Sequence, residues 1–320
     1  MKITKFFFPI IIFAFIILLL CSPAKFMAVA LDGALVWATI LLPSLFPFIF
    51  FSRLFTTFEV TQNLKPFSRA TQKLYHCPSD SAYVFLLSVL CGYPIGAKLI
   101  SDLYQDGKIS KGQAYRSVSF VSNCGPMFII GSVGVGMLHS PMAGIIILIC
   151  HILSSLLNGL IYRKSWKKFN SERLPAASEK NAQTSVSDIV FSSINSVLMV
   201  GGYVIIFFIV AEVFTSLKIF SPLCLLLKKI GINPQISEGI LCGLLEITKG
   251  SKMLSTASSN LQVIVPACCF LITFGGFSTF MQSYTFLEKT GMKKSALLIQ
   301  KTTQALIATA LCVVVSLIMF

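Results

Sequence analysis

An all-α, polytopic transmembrane protein is the fold class that the sequence predicts, on three observations. Hydrophobic residues fill 55% of the 320 positions and charged residues only 12%, against about 25% charged in a soluble domain; the mean hydropathy is +0.82. Apolar segments recur along the whole chain, several of them long enough for a hydrocarbon layer of ~30 Å. Two of these segments break in mid-course, and broken backbone at membrane depth is tolerated only where protein or a water-filled cavity covers it. About seven spans plus two re-entrant broken-helix hairpins, in an inverted repeat, is the architecture expected.

The first element follows from Lys2 and Lys5 ahead of an apolar run at 6–20. The pattern resembles a secretory signal, and Cys21 sits where a lipoprotein cleavage box would place it. Leu20 is too bulky for that box, so residues 1–24 are expected to stay as an N-terminal transmembrane helix. Pro9 falls in its first turn, where proline is tolerated. A span over 32–55 follows. Segment 82–104 is interrupted at Gly92, Pro94 and Gly96, which predicts a hairpin entering and leaving on one side. Spans over 117–138 and 141–162 complete a first unit, 25–162. Residues 163–187 are polar and basic and read as a cytoplasmic linker. The second unit, 188–320, repeats the order: a span at 189–216, a segment at 236–256 broken around Glu246, Thr248 and Gly250, then 261–286 and 295–320.

Charge sets the orientation. The formal net charge is +14, from 26 Lys+Arg against 12 Asp+Glu. With the N-terminus inside, most basic residues fall in inner loops (Lys65, Arg69, Lys73; Lys108, Lys111, Arg116; the run from Arg163 to Lys180; Lys289, Lys293, Lys294). Lys25, Lys218, Lys228 and Lys229 fall outside. That is the positive-inside distribution of a membrane protein and needs no nucleic-acid partner. The ten cysteines show no C-x-x-C and no Cys/His zinc spacing, so neither a metal nor another cofactor is expected. No nucleophile elbow or phosphate-binding lysine loop is present, which argues against an enzyme.

The two halves align. Residues 90–101 match 244–255, with identities at Leu90/Leu244, Gly96/Gly250, Lys98/Lys252 and Ser101/Ser255; residues 122–126 fall opposite 273–277. Each half holds an odd number of crossings, so the second must enter from the opposite face. Such inverted repeats are common in secondary transporters, whose substrate sites lie at the midplane between the repeats.

The interruptions supply the candidate binding residues. The helix starting near Gly96 aims free N–H groups and a positive dipole end at the break, an anion site that Lys98 strengthens. Tyr93, inside the same break, is counted among the candidates. Ser122, Asn123 and Gly125, next to Pro126, offer neutral donors and acceptors; helix-to-helix hydrogen bonding is their other use. In the second half Glu246 is a carboxylate among apolar neighbours, costly unless paired or functional, with Lys98 or Lys252 as partner or a coupling proton as its cargo. Thr248, Gly250, Lys252 and, past Gly275-Gly276, Ser278 complete the set. His151 is read as a packed helix histidine, and Glu212 as facing water at the outer end of its span.

Three of these stretches carry a family resemblance. Gly-Tyr-Pro-Ile-Gly-Ala-Lys at 92–98, Ser-Asn-Cys-Gly-Pro-Met-Phe-Ile-Ile-Gly at 122–131 and Gly-Leu-Leu-Glu-Ile-Thr-Lys-Gly at 243–250 resemble the YlbJ-like sporulation integral membrane proteins. These carry nucleoside-recognition "Gate" domains distantly akin to concentrative nucleoside transporters. The resemblance covers nearly the whole chain and makes 25–162 and 188–320 two Gate-like repeats. It implies a multi-pass protein of the outer forespore membrane that transports dipicolinic acid during spore formation. Lys249 departs from the family pattern, where a small or neutral residue stands. A nucleoside as substrate, or a non-transporting scaffold of spore envelope assembly, are the other readings. The expected partners are the lipid bilayer, a small anion (dipicolinate) or a nucleoside, and in a further reading a second copy of the chain.

Overall fold

The structure, a computed structural model, describes residues 2–57, 65–165, 185–229, 231–257 and 260–320. Every regular element among them is helical. The first unit contains α1 (Lys2–Cys21), α2 (Pro23–Val36), a π-helical turn (Trp37–Leu41), α3 (Leu42–Thr57), α4 (Lys65–Tyr75), α5 (Asp80–Cys91), α6 (Ile95–Gln105), α7 (Lys111–Val121), a π-helix (Met127–Met137) and α8 (Pro141–Tyr162). The second contains α9 (Val186–Ser216), α10 (Ser221–Lys229), α11 (Pro234–Leu245), α12 (Ile247–Ser255), α13 (Leu261–Phe274), α14 (Gly276–Leu287), a 3-10 turn (Glu288–Thr290) and α15 (Lys294–Met319). Of the linker expected over 163–187, residues 166–184 lie outside the described residues, and with them Lys167, Lys168, Arg173 and Lys180.

Helix α8 shows why this chain belongs in lipid. Met142, Ile145, Ile149, Leu153, Leu157 and Ile161 form an exposed stripe at helical spacing, while Gly144, His151, Ser154, Ser155, Asn158 and Gly159 are buried. The apolar face points away from the protein and the small and polar face points in. That is membrane packing, where small residues allow close approach and polar groups join helices. Among the described residues, four stretches are long and apolar enough to cross a bilayer: Pro141–Tyr162, Val186–Ser216, Leu261–Thr290 and Lys294–Met319. A pair bent by 105°, Ile12–Cys21 with Pro23–Thr39, makes a fifth if it is one span. The about seven spans expected also took in 32–55 and 117–138. The structure builds the first with a π turn inside it and interrupts the second at 122–126.

The halves repeat one order of elements: a long helix, two short helices joined at a break, a helix that breaks and resumes, and a closing helix. The opening helices pack on each other (α2 and α3 on α9), and so do the closing ones (α8 on α15). Between them sit the paired short helices α5–α6 and α11–α12, each packed on its own partner. They are tied to different ends of one helix run, the first by the far end of α6 and the second by the first turn of α12. In the first pair, Asp102 of α6 lies 3.7 Å from Arg53 of α3. In the second, Lys249 of α12 pairs with Glu212, which also pairs with Lys25 of α2. Lys25 and Arg53 are separated by about 40 Å of helix at 1.5 Å per residue. The two hairpins therefore reach the middle from opposite ends.

Glycine lets each hairpin close. A Cβ on Gly250 would overlap the backbone of Gly243 and approach the carbonyl of Gly239, so α11 and α12 touch backbone to backbone. A Cβ on Gly96, its counterpart in the repeat, would overlap the carbonyl oxygen of Val121. Gly202 of α9, by contrast, has nothing within 4 Å of its added Cβ. Gly250→Val is therefore expected to destabilise the fold by roughly 1–3 kcal/mol or prevent it, whereas Gly202→Ala stays within about 0.5 kcal/mol of the parent. Thermal unfolding of the detergent-solubilised protein, followed by size exclusion, measures both. Equal melting temperatures for the two variants would remove the backbone contact as the closing device.

Candidate functional site

Four backbone interruptions converge in the interior. The first, at Gly92–Tyr93–Pro94, separates α5 from α6. Gly92 has φ +81 and its missing Cβ leaves room for the Gly125 nitrogen, so the first interruption packs directly on the second, at 122–126. The third is Glu246, extended at φ −143 and ψ 117 between α11 and α12. The fourth is Gly275–Gly276, both at positive φ, between α13 and α14. A Cβ on Gly276 would meet the carbonyls of Gly243 and Leu245, which joins the fourth interruption to the third.

A cavity of about 80 Å3 lies among them, with the exposed Leu90 and Met127 at its edge. Its wall is formed by Gly92 and Tyr93, by Cys124, Gly125, Met127 and Phe128, by Glu246, Ile247 and Thr248, and by Thr279 and Gln282 of α14. Leu41, Leu45, Val200 and Val204 supply apolar surface from the opening helices of the two halves. Helix starts face this space, because Ile95, Met127 and Ile247 each begin a helix directly after an interruption. The first two starts have no side-chain cap. The third is capped by Glu246 itself, whose Oε2 accepts a 2.8 Å hydrogen bond from the Lys249 amide. An engineered cavity of about 150 Å3 accepts benzene; at half that volume this one must widen to take a ring.

Of the residues expected from sequence, Tyr93, Gly125, Glu246 and Thr248 line the cavity. The others lie around it. Gly96 and Gly250 are the close-contact points of the hairpins. Asn123 is buried and donates from Nδ2 to Ser88 Oγ (2.9 Å) and the Phe120 carbonyl (2.9 Å), which ties the second interruption to α5. The carbonyl of Ser122 accepts from Lys301 at 3.1 Å. Ser278 Oγ accepts from Gln282 Nε2 at 3.2 Å and so holds a cavity side chain.

The two lysines do not meet in this cavity. Lys98 points along α6 to Asp102, at 3.3 Å, and over the Phe286 ring at 5.4 Å. Lys252 lines a second, open cavity of about 550 Å3 with Asp32, Glu212 and Lys249. Glu246 pairs with neither; it caps its own helix. Thr248 borders both cavities, so the two are neighbours. Glu212, read from sequence as facing water, is held by Lys25 at 2.8 Å and by Lys249 in that outer cavity.

A buried polar chain runs behind the cavity. Lys301 of α15, 4% exposed, donates to the Tyr93 hydroxyl and stands 4.4 Å over the Tyr93 ring. The Tyr93 hydroxyl donates to the Thr273 carbonyl at 3.0 Å. Thr273 Oγ1 is 2.9 Å from His151 Nδ1, and His151 Nε2 accepts from the Cys124 amide at 2.9 Å. An amide only donates, so Nε2 carries no proton and the His151 proton sits on Nδ1, donated to Thr273. Read from sequence as a packed helix histidine, His151 connects the second interruption to the fourth. Lys301 and Gln282 were missed by the sequence reading. The signal for Lys301 was there: one lysine seven positions into the last apolar segment, where a charge is functional by default.

No family model matches the chain, and no solved structure matches it. It is similar to the sporulation integral membrane protein YlbJ of Bacillus subtilis (strain 168), with 29% identity over 306 residues, covering 86% of this chain and 74% of that protein. That similarity runs along most of the chain, in agreement with the three motifs.

Replacing His151 tests the chain of bonds. His151→Leu leaves the Cys124 amide and the Thr273 hydroxyl buried without partners, and is expected to cost about 1–3 kcal/mol. His151→Gln, which carries both a donor and an acceptor, is expected to recover part of it. Detergent-melting curves of the two variants check the order; a Leu variant at least as stable as the Gln variant would show that the bridge holds nothing.

Proposed function

We propose that this YlbJ-like integral membrane protein is a secondary transporter, not an enzyme, and that it moves a small polar anion through the cavity at the four interruptions. The observation that carries the reading is the cavity itself. Helices in lipid normally satisfy every backbone group internally. Here the chain gives up that economy at four places; three of them line one interior cavity, and the helix that starts at the fourth supplies Thr279 and Gln282 to it. Such broken helices at a repeat interface are the way transporters build substrate sites. A scaffold has no need of them.

The helix starts at Ile95 and Met127, which have no side-chain cap, favour an anion, because the positive dipole end of a helix stabilises negative charge. The family resemblance makes dipicolinate the candidate and spore formation the setting, with the protein in the outer forespore membrane and its N-terminus in the cytoplasm. Hairpins that arrive from opposite ends support an inverted arrangement of the repeats, and alternating access then opens the cavity first to one side and then to the other. The about 550 Å3 cavity at Lys249 and Lys252 is the approach on one of them. A nucleoside is the competing cargo, favoured by the neutral hydrogen-bonding wall of Thr248, Thr279 and Gln282.

Uptake into proteoliposomes separates these readings. Labelled dipicolinate is expected to accumulate and labelled uridine is not; the opposite result transfers the site to nucleosides, and movement of neither leaves a scaffold. Thr279→Phe, which fills the cavity, is expected to cut uptake at least tenfold in protein that remains monodisperse.

A further inference from the structure

Lys301 has no role in the reading above, yet its burial is costly. Its side chain is buried within the last membrane-crossing helix. Among the described residues no carboxylate pairs with it; its hydrogen-bond acceptors are the Tyr93 hydroxyl and the Ser122 carbonyl, both neutral. A buried ammonium without a counter-charge is destabilising, and a methionine would fill the same volume without that cost. The surroundings show why a charge is useful there. Lys301 lies in a packing void with no room for water, bounded by Tyr93, Ser122, Thr279 and Ser283 among others. Tyr93 and Thr279 also line the central cavity. Tyr93 is therefore the partition between the lysine and the site.

We propose that Lys301 is the counter-charge for a carboxylate of the transported anion, held in reserve behind Tyr93, whose hydroxyl is a removable stand-in for that carboxylate. The proposal rests on the anion-transport reading and adds a residue and a latch to it. In the closed state the phenol oxygen occupies one ammonium donor and the aromatic face covers the charge. A carboxylate oxygen is the better acceptor, since hydrogen bonds between two charged groups are shorter and stronger than those to a neutral phenol. When it takes Lys301, the Tyr93 ring turns aside and the cavity gains the volume that a ring-shaped solute needs. The same movement frees the carbonyls of Ile272 and Thr273, which the Tyr93 hydroxyl holds at 3.4 and 3.0 Å. Those carbonyls lie immediately before the Gly275–Gly276 interruption, where two positive-φ residues let α14 reorient. Anion arrival is thus linked to the element that moves. Lys98 and Lys252 lie outside this arrangement, one bound to Asp102 and the other in the outer cavity.

Native cysteines report on the latch without any substrate. Cys91 and Cys124 line the central cavity and are buried, so their modification by a small methanethiosulfonate, read by peptide mass spectrometry, measures opening. The test compares the full-length protein with Lys301→Met and Tyr93→Phe in proteoliposomes. Tyr93→Phe removes the stand-in and is expected to react several-fold faster at both cysteines, with the KM for dipicolinate lowered several-fold. Lys301→Met is expected to react faster as well, to lose at least tenfold in kcat/KM for dipicolinate, and to lose the protection that dipicolinate gives the wild-type cysteines. Unchanged KM in Lys301→Met with protection intact would overturn the counter-charge, and identical cysteine reactivity in all three proteins would overturn the latch. If Lys301→Met does not fold, Tyr93→Phe decides alone, since a slower or unchanged reaction there refutes the proposal. Wild-type protein that moves uridine but not dipicolinate ends the anion reading and the counter-charge together, while the cysteine rates still decide whether Tyr93 is a latch.

Discussion

A main chain inside lipid cannot leave its N–H and C=O groups unpaired, and this constraint organises the whole molecule. Four interruptions create orphan groups at depth. None can be satisfied by lipid, so each must be placed against another piece of protein. Gly92 packs on Gly125, Gly276 on the carbonyls ahead of Glu246, and Glu246 on the amide of Lys249. The interruptions pack on one another, while the hydrogen bonds at the breaks are made locally and by buried side chains such as His151 and Lys301. The cavity is what remains at the point where they meet, and its polarity follows from the backbone before any side chain is considered.

The side chains then fix the interruptions relative to one another. Tyr93, Thr273, His151 and Cys124 form one hydrogen-bonded series across two helices and two breaks. Asn158 extends the same logic toward the closing helices, donating to the carbonyls of Ser119 (2.7 Å) and Gln300 (3.2 Å). Between membrane helices these bonds carry specificity more than affinity, since each contributes modestly once alternative partners are counted. Their value here is geometric. They make the positions of the breaks depend on one another, so a change at one is felt at the rest.

Much of this was legible in the sequence, and the reason is chemical. A proline or glycine inside an apolar run has few uses, so 92–96, 122–126 and 275–276 announced themselves, and the order of interrupted segments exposed the repeat. Tyr93, Gly125, Glu246 and Thr248 line the cavity because they sit in the interruptions. The lysines were harder. Lys98 and Lys252 match in the repeat and stand one turn past their breaks, which suggested one shared site. A helix turn carries a side chain along the arm as well as around it, and each arm leads back toward the surface where Asp102 and Glu212 wait. Gln282 belongs to a helix with no interruption at that point, so nothing local marked it, and Lys301 was marked only by its charge inside an apolar segment, which does not say what it faces. They reach the site through tertiary packing of α14 and α15, which short-range pattern does not encode.

The distribution of charge gives the arrangement its direction. The one carboxylate on the cavity wall, Glu246, is spent on its own helix start, where it neutralises the positive end of α12. The one cation adjoining the cavity, Lys301, is spent on neutral oxygens. A solute that is itself a carboxylate improves the second situation and leaves the first unchanged, whereas a neutral solute improves neither. The two charges are kept on different elements, α12 of one hairpin and the closing helix α15, and are not recorded as a pair among the described residues. Had they been paired, the interior would be electrically complete and indifferent to an anion. Keeping them apart is therefore what the proposed anion site requires of the fold.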